Sequence, residues 1–138
     1  MTWWMCALLS AVFAALTAIL GKVGIKDVPS NLGTAIRTLF VLACAWGMAF
    51  IAGEQRAIGT ISRRSLLFLG LSGLATGLSW LAYYRALQLA PASKVAPLDK
   101  LSLPITILFA ILVLKEPLSW KLATGVAMIV GGILLTLN

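Results

Sequence analysis

"APASKVAPLDKLSLP", residues 90–104, sets three prolines, two lysines and an aspartate directly against the apolar run Ile105 to Leu114. The rest of the chain avoids charge. Ionisable groups at membrane depth are costly, so this stretch is either a turn with a helix start or a polar-lined functional segment. Pro91 and Pro97 bracket a tight turn and a helix start, where a missing backbone N–H costs least. Pro104 lies deeper and is expected to kink the helix that follows, freeing a backbone carbonyl near Asp99 and Lys100.

The chain has 138 residues, 61% of them hydrophobic and only 11% charged, with no histidine. A soluble domain carries about a quarter charged residues. The apolar residues come in long blocks rather than at strand or amphipathic-helix spacing, which marks an all-α integral membrane protein in contact with the lipid bilayer. The formal charge of +7 is spread singly among those blocks. Nucleic-acid binders gather such charge into a patch or stripe, so nucleic acid is not an expected partner. Cys6 and Cys44 lie inside apolar runs and read as small membrane-compatible side chains, not as a disulfide or a metal pair. The opening "MTWWMCALLSAVFAALTAIL" lacks a basic leader and a small-x-small cleavage site, and is expected to be a retained first helix anchored by Trp3 and Trp4.

Five spans follow, at about 3–21, 32–53, 65–89, 93–114 and 118–137, each near the ~20 residues of a bilayer crossing. Together they make one five-helix domain over 1–138, with short loops and nothing left for a soluble domain. Gly70, Gly73 and Gly77 in the third span, and Gly125 and Gly132 in the fifth, fall in helical register and read as close-packing faces.

Catalysis finds no support: there is no nucleophile motif, no cysteine pair at metal spacing and no phosphate loop, and no cofactor or metal is called for. The candidate residues are instead the ionisable and aromatic side chains at depth. Arg37 lies about five residues into its span, ~8 Å below the span's start. It is either a snorkelling side chain or a cavity cation for an anionic substrate or buried carboxylate. Arg85, one turn from the end of the third span, is either an interface anchor or part of the site. Asp99 is the one carboxylate inside a span, since Asp27, Glu54 and Glu116 lie in turns. It sits nearly two turns in if the helix starts at Ser93, or in the first turn if it starts at Pro97, where a carboxylate suits the helix dipole. Lys100 follows about 100° round the helix, so the cation for Asp99 is expected from another helix, with Arg37 or Arg85 as candidates. Trp46, Trp80 and Tyr84 are expected to wall a central cavity or else to face lipid, while Trp3, Trp4 and Trp120 belong to the interfacial belt.

"ALQLAPASKVAPLDKLSLP" (86–104), followed by "LKEPLSWKLATGVAMIVGGILL" (114–135), resembles the EamA-type domain of the drug/metabolite transporter superfamily. In that family an Ala-Pro-Ala-Ser-x-Val-Ala-Pro-Leu segment opens the fourth helix, matched by Ala90 to Leu98. A Leu-x-Glu-x-Leu-Ser segment leads into the last helix, matched by Leu114 to Ser119, and glycines follow, matched by Gly125, Gly131 and Gly132. The match covers about Ala86 to Gly132. Two departures stand out. Lys115 occupies a position where the family commonly has Gly, and the chain carries one five-helix unit where most members carry two.

The resemblance implies the short single-domain branch: half of a ten-helix, inverted-repeat secondary transporter of metabolites or drug-like solutes. A glutamate in the first helix marks the cationic-drug exporters related to this family, and the first span here has no acid. The cations Arg37, Arg85, Lys94 and Lys100 outnumber Asp99, which tilts the expected solute toward an anion or zwitterion. A rival is an accessory subunit of a heteromeric transporter or lipid-head-group flippase. The second and fourth turns carry Arg56, Arg63, Arg64, Lys115 and Lys121, against Lys22, Lys26, Arg85, Lys94 and Lys100 around the first and third. That is five against five, or five against three when Arg85 and Lys100 are counted as in-span. The stricter count gives a mild preference for a cytoplasmic N-terminus, but differences this small leave orientation weakly set. An antiparallel homodimer in a prokaryotic inner membrane is expected, with a parallel dimer or monomer, favoured by the stricter count, as runner-up.

Overall fold

The computed structural model of the chain describes residues 2–137. Its helices are α1 (Trp3–Gly24), α2 (Ser30–Ile51), α3 (Arg63–Leu89), α4 (Ala92–Asp99), α5 (Ser102–Leu114) and α6 (Trp120–Leu135), with a 3-10 helix at Glu54–Thr60. Among the described residues there is no strand. Helices are what this composition permits in lipid, because each satisfies its backbone hydrogen bonds internally. Large apolar side chains lie on the outside: Leu74 and Leu78 of α3 are 68% and 70% exposed.

Four segments are long and apolar enough to cross a membrane: α1, α2, α3 and the broken helix Ala92–Leu114. The expected fifth span is shorter than the sequence implies. α6 has 16 residues, so it is about 24 Å long against ~30 Å of hydrocarbon. It begins only at Trp120 because residues 115–119 are non-helical.

The chain divides into two compact units, Met1–Leu89 and Ala90–Asn138. In the first, the buried side chains are Ala18, Ile25, Ser30, Thr34, Tyr84 and Leu87. They gather at the end of α1, the start of α2 and the end of α3. Gly21 makes this possible: a Cβ there would stand 2.8 Å from the Tyr84 hydroxyl oxygen and 3.2 Å from Cζ. The connection 25–29 is tied down from α3. Gln88 Nε2 donates to the carbonyls of Val28 at 2.6 Å and Ile25 at 3.2 Å, and Lys22 Nζ donates to the Leu87 carbonyl. The glycine rows read as packing faces do not pack within the chain: nothing described lies within 4 Å of a Cβ built on Gly70, Gly73, Gly77, Gly125, Gly131 or Gly132.

In the second unit the helix starts at Ala92, close to the earlier of the two expected starts, and breaks between Asp99 and Ser102. The break is one turn before Pro104 rather than at it, for a simple reason. Proline removes the N–H that would bond the carbonyl four residues back and clashes with it, and that carbonyl is Lys100's. Three i→i+3 bonds fill the gap: Lys100 N to Pro97 O, Leu101 N to Leu98 O and Leu103 N to Lys100 O, each at 3.0 Å. Pro97 sits inside α4. At the other end of α5, Lys115 adopts φ 56°, the left-handed region that glycine enters without penalty. That is a conformation suited to the Gly that the resemblance implies at this position. Ser119 caps α6, its side chain accepting from Leu122 N at 3.2 Å.

Candidate functional site

On α2, Ser30, Thr34, Arg37 and Thr38 recur at helical spacing and make one polar stripe in a mostly apolar helix. The hydroxyls look after themselves. Thr34 Oγ1 donates to Ser30 O at 2.9 Å and Thr38 Oγ1 to Thr34 O at 2.8 Å, a local bond that lets threonine sit in an apolar helix. On α3, Trp80 and Tyr84 are one turn apart and share a face.

Arg37 joins the two stripes. Its guanidinium carbon lies 3.8 Å from the centre of the Trp80 ring and 5.3 Å from that of Tyr84. Such stacking is worth ~2 kcal/mol or more where water is excluded. Arg37 is seven residues into α2, about 10 Å from its start, and Trp80 is nine residues from the end of α3, about 13 Å in. The charge is therefore held against the deeper of the two rings instead of being carried out to the helix end. Its Nη1 is buried and has no hydrogen-bond partner among the described residues. Tyr84, 3% exposed, is fixed between Arg37 and Gly21 and meets Tyr83 edge-on at 6.2 Å. Tyr84 of α3 thus touches both Arg37 of α2 and Gly21 of α1.

The structure brings together Arg37, Trp80 and Tyr84, and sets the remaining candidates elsewhere. Trp46 packs on Phe50 of its own helix, ring centres 5.7 Å apart, and is 44% exposed. It follows Arg37 by nine residues, about 13 Å along α2. Arg85 is exposed and donates through Nη1 to Gln88 Oε1 at 3.3 Å, which orients the Gln88 amide toward the 25–29 connection. In the second unit Lys94, Asp99 and Lys100 are all exposed. Asp99 pairs not with a cation from another helix but with Lys100, Oδ2 to Nζ 3.8 Å. Because α4 ends between them, the 100° separation of an intact helix no longer applies.

Sequence reading missed three contributors: Gly21, Lys22 and Gln88. Only Gln88 left a trace, as an amide three residues after Arg85 at the end of an apolar span. Gly21 looks like any other glycine in the chain. Beside these residues lies a cleft of about 480 Å³ lined by Lys22, Val23, Ile25, Lys26, Leu87 and Gln88. It has the size of a small-molecule pocket, with two lysines at its wall. A groove on α5, lined by Thr106, Phe109, Ala110, Val113 and Leu114, offers nothing to hold a charge; the Thr106 hydroxyl donates to Ser102 O.

The sequence matches the EamA-like transporter family over residues 1–138. The chain belongs to that family. It is also 48% identical over 134 residues, 97% of this chain and 95% of the other, to a Sinorhizobium sp protein described as an uncharacterized transporter in cobO 3'region. No solved structure matches. Membership makes the chain a multi-pass integral membrane transporter, not an enzyme, and its apolar helices meet membrane lipid while it handles a solute.

Proposed function

We propose that the chain is a secondary transporter of small anionic or zwitterionic metabolites or drug-like solutes, working by alternating access. The observation that carries this reading is Arg37: a charge ~10 Å inside a transporter's helix, held on Trp80 and Tyr84, with a buried N–H group that no described residue accepts. Intramembrane cations are retained where they meet a substrate or a coupling partner. The broken segment 92–114 supports the same reading, since interrupted helices line sites in secondary transporters. Asp99, with Lys94 and Lys100 beside it, is the coupling candidate there, and Asp99→Asn should abolish or uncouple transport while the protein still inserts.

With α6 counted as a fifth, short span, one chain supplies one repeat. The functional unit is then an antiparallel homodimer of ten spans in a prokaryotic inner membrane, Arg37 and Asp99 of both copies lining the interface. The near balance of basic residues on the two sides supports insertion both ways. Two experiments test this. Solute uptake by the purified chain alone in vesicles supports a transporter, whereas uptake only with a second protein makes it an accessory subunit. Reporters on the C-terminus should appear on both sides of the membrane; a single side in every molecule rejects the antiparallel dimer.

A further inference from the structure

We propose that the Arg37 site takes a small organic monocarboxylate, its carboxylate oxygens on the buried Nη1. This rests on the transporter reading and gives it a ligand class.

Charge comes first. The chain's four acidic residues include none in α1, α2 or α3, because Asp27 lies in the 25–29 connection and Glu54 in the 3-10 helix. The three helices therefore offer no acidic side chain as a counter-anion, and Arg37 is the cation held against Trp80 and Tyr84. The rings of Trp80 and Tyr84 meet the charge through their π faces, but supply no oxygen to accept from Nη1. The hydroxyls of Thr34 and Thr38 are turned back on their own helix. What the site lacks is an acceptor carrying one negative charge.

Geometry narrows the choice. A planar guanidinium matches a carboxylate through side-by-side N–H groups. A monoanion leaves the site neutral, while a dianionic phosphate leaves an uncompensated charge in an apolar setting. A cationic solute would meet Arg37 as a like charge. The cleft at the end of α3, with Lys22 and Lys26 at its wall, draws anions toward the same three helices.

The test uses the purified full chain in detergent, with the unfolding midpoint followed against sodium benzoate, its neutral isostere benzamide, and sodium phosphate at constant ionic strength. A ligand of the native state raises the midpoint saturably. Benzoate should do so and the other two should not. Arg37→Gln should raise the half-saturating benzoate concentration at least tenfold, and Arg37→Lys, which keeps the charge without the fork, by a smaller factor. If Arg37→Gln does not fold, the benzoate–benzamide difference on the unaltered chain and the lysine variant still decide. No benzoate response, an equal response to benzamide, a stronger response to phosphate, or unchanged benzoate binding in both variants overturns the proposal. Benzoate binding by a chain inert in vesicles removes the transporter reading and keeps the carboxylate site. Solute uptake unaltered by Arg37→Gln does the reverse.

Discussion

The Arg37 guanidinium stands 3.8 Å from the centre of the Trp80 ring, one helical turn deeper than Tyr84. A snorkelling arginine would extend toward the start of α2, the direction in which helical side chains lean. This one lies closest to Trp80, nine residues from the end of α3. The stacking offsets part of the cost of holding a charge at that depth, while Nη1 has no acceptor among the described residues.

Replacing Trp80 therefore separates two roles of the ring. Trp80→Leu should destabilise the purified chain by about 2 kcal/mol, the value of a desolvated cation–π contact, and Trp80→Phe by less, because a weaker π face remains. Denaturation midpoints in detergent check this. Equal midpoints for the two variants would show that the ring contributes packing alone.

Gly21→Val should cost about 1–3 kcal/mol, the range for overpacking, because its Cβ falls 2.8 Å from the Tyr84 hydroxyl oxygen. Gly70→Ala, with nothing described within 4 Å of the new Cβ, should leave the isolated chain's stability nearly unchanged. The contrast can be read from paired thermal scans, and a larger loss at Gly70 would contradict the packing described for unit Met1–Leu89.

Much of this was legible beforehand, and the divide has a physical cause. Hydropathy blocks locate α1, α2, α3 and the 92–114 segment because length and apolarity are local properties. Arg37, Trp80 and Tyr84 could be singled out as a charge and two aromatics at depth, since such residues are expensive or distinctive in lipid. Their meeting could not be foreseen: which face of α2 turns to α3 depends on packing, and Trp46 was an equally good candidate by composition. Asp99 was misread because its angular separation from Lys100 assumes an intact helix, and Pro104 interrupts it four residues upstream. Gly21 was invisible because a glycine's use lies in what approaches it.

Gln88→Leu should free the 25–29 connection from α3, removing the amide donor to the Ile25 and Val28 carbonyls. Leaving those acceptors unpaired costs about 1–3 kcal/mol if they stay buried. Hydrogen exchange at residues 25–29 should quicken while the centre of α2 stays protected. Unchanged exchange would mean that Lys22, on the Leu87 carbonyl, holds the connection by itself.

Lys115→Gly is expected to stabilise, by about 1 kcal/mol, since a left-handed backbone costs an L-residue roughly that much more than glycine. A raised unfolding midpoint with unaltered ligand response would bear this out, and a lowered midpoint would mean that the Lys115 side chain contributes more than its backbone costs.

Carboxylate transport through Arg37 can be measured by entrance counterflow in vesicles holding only the purified chain. Vesicles loaded with one hydrophilic amino or hydroxy acid from a panel are diluted into a trace of the same labelled solute. The unaltered chain should accumulate at least one carboxylate transiently, and Arg37→Gln vesicles that hold the same amount of inserted protein should not. Counterflow at an equal rate in the Arg37→Gln vesicles, or none for any carboxylate by the unaltered chain, would contradict it.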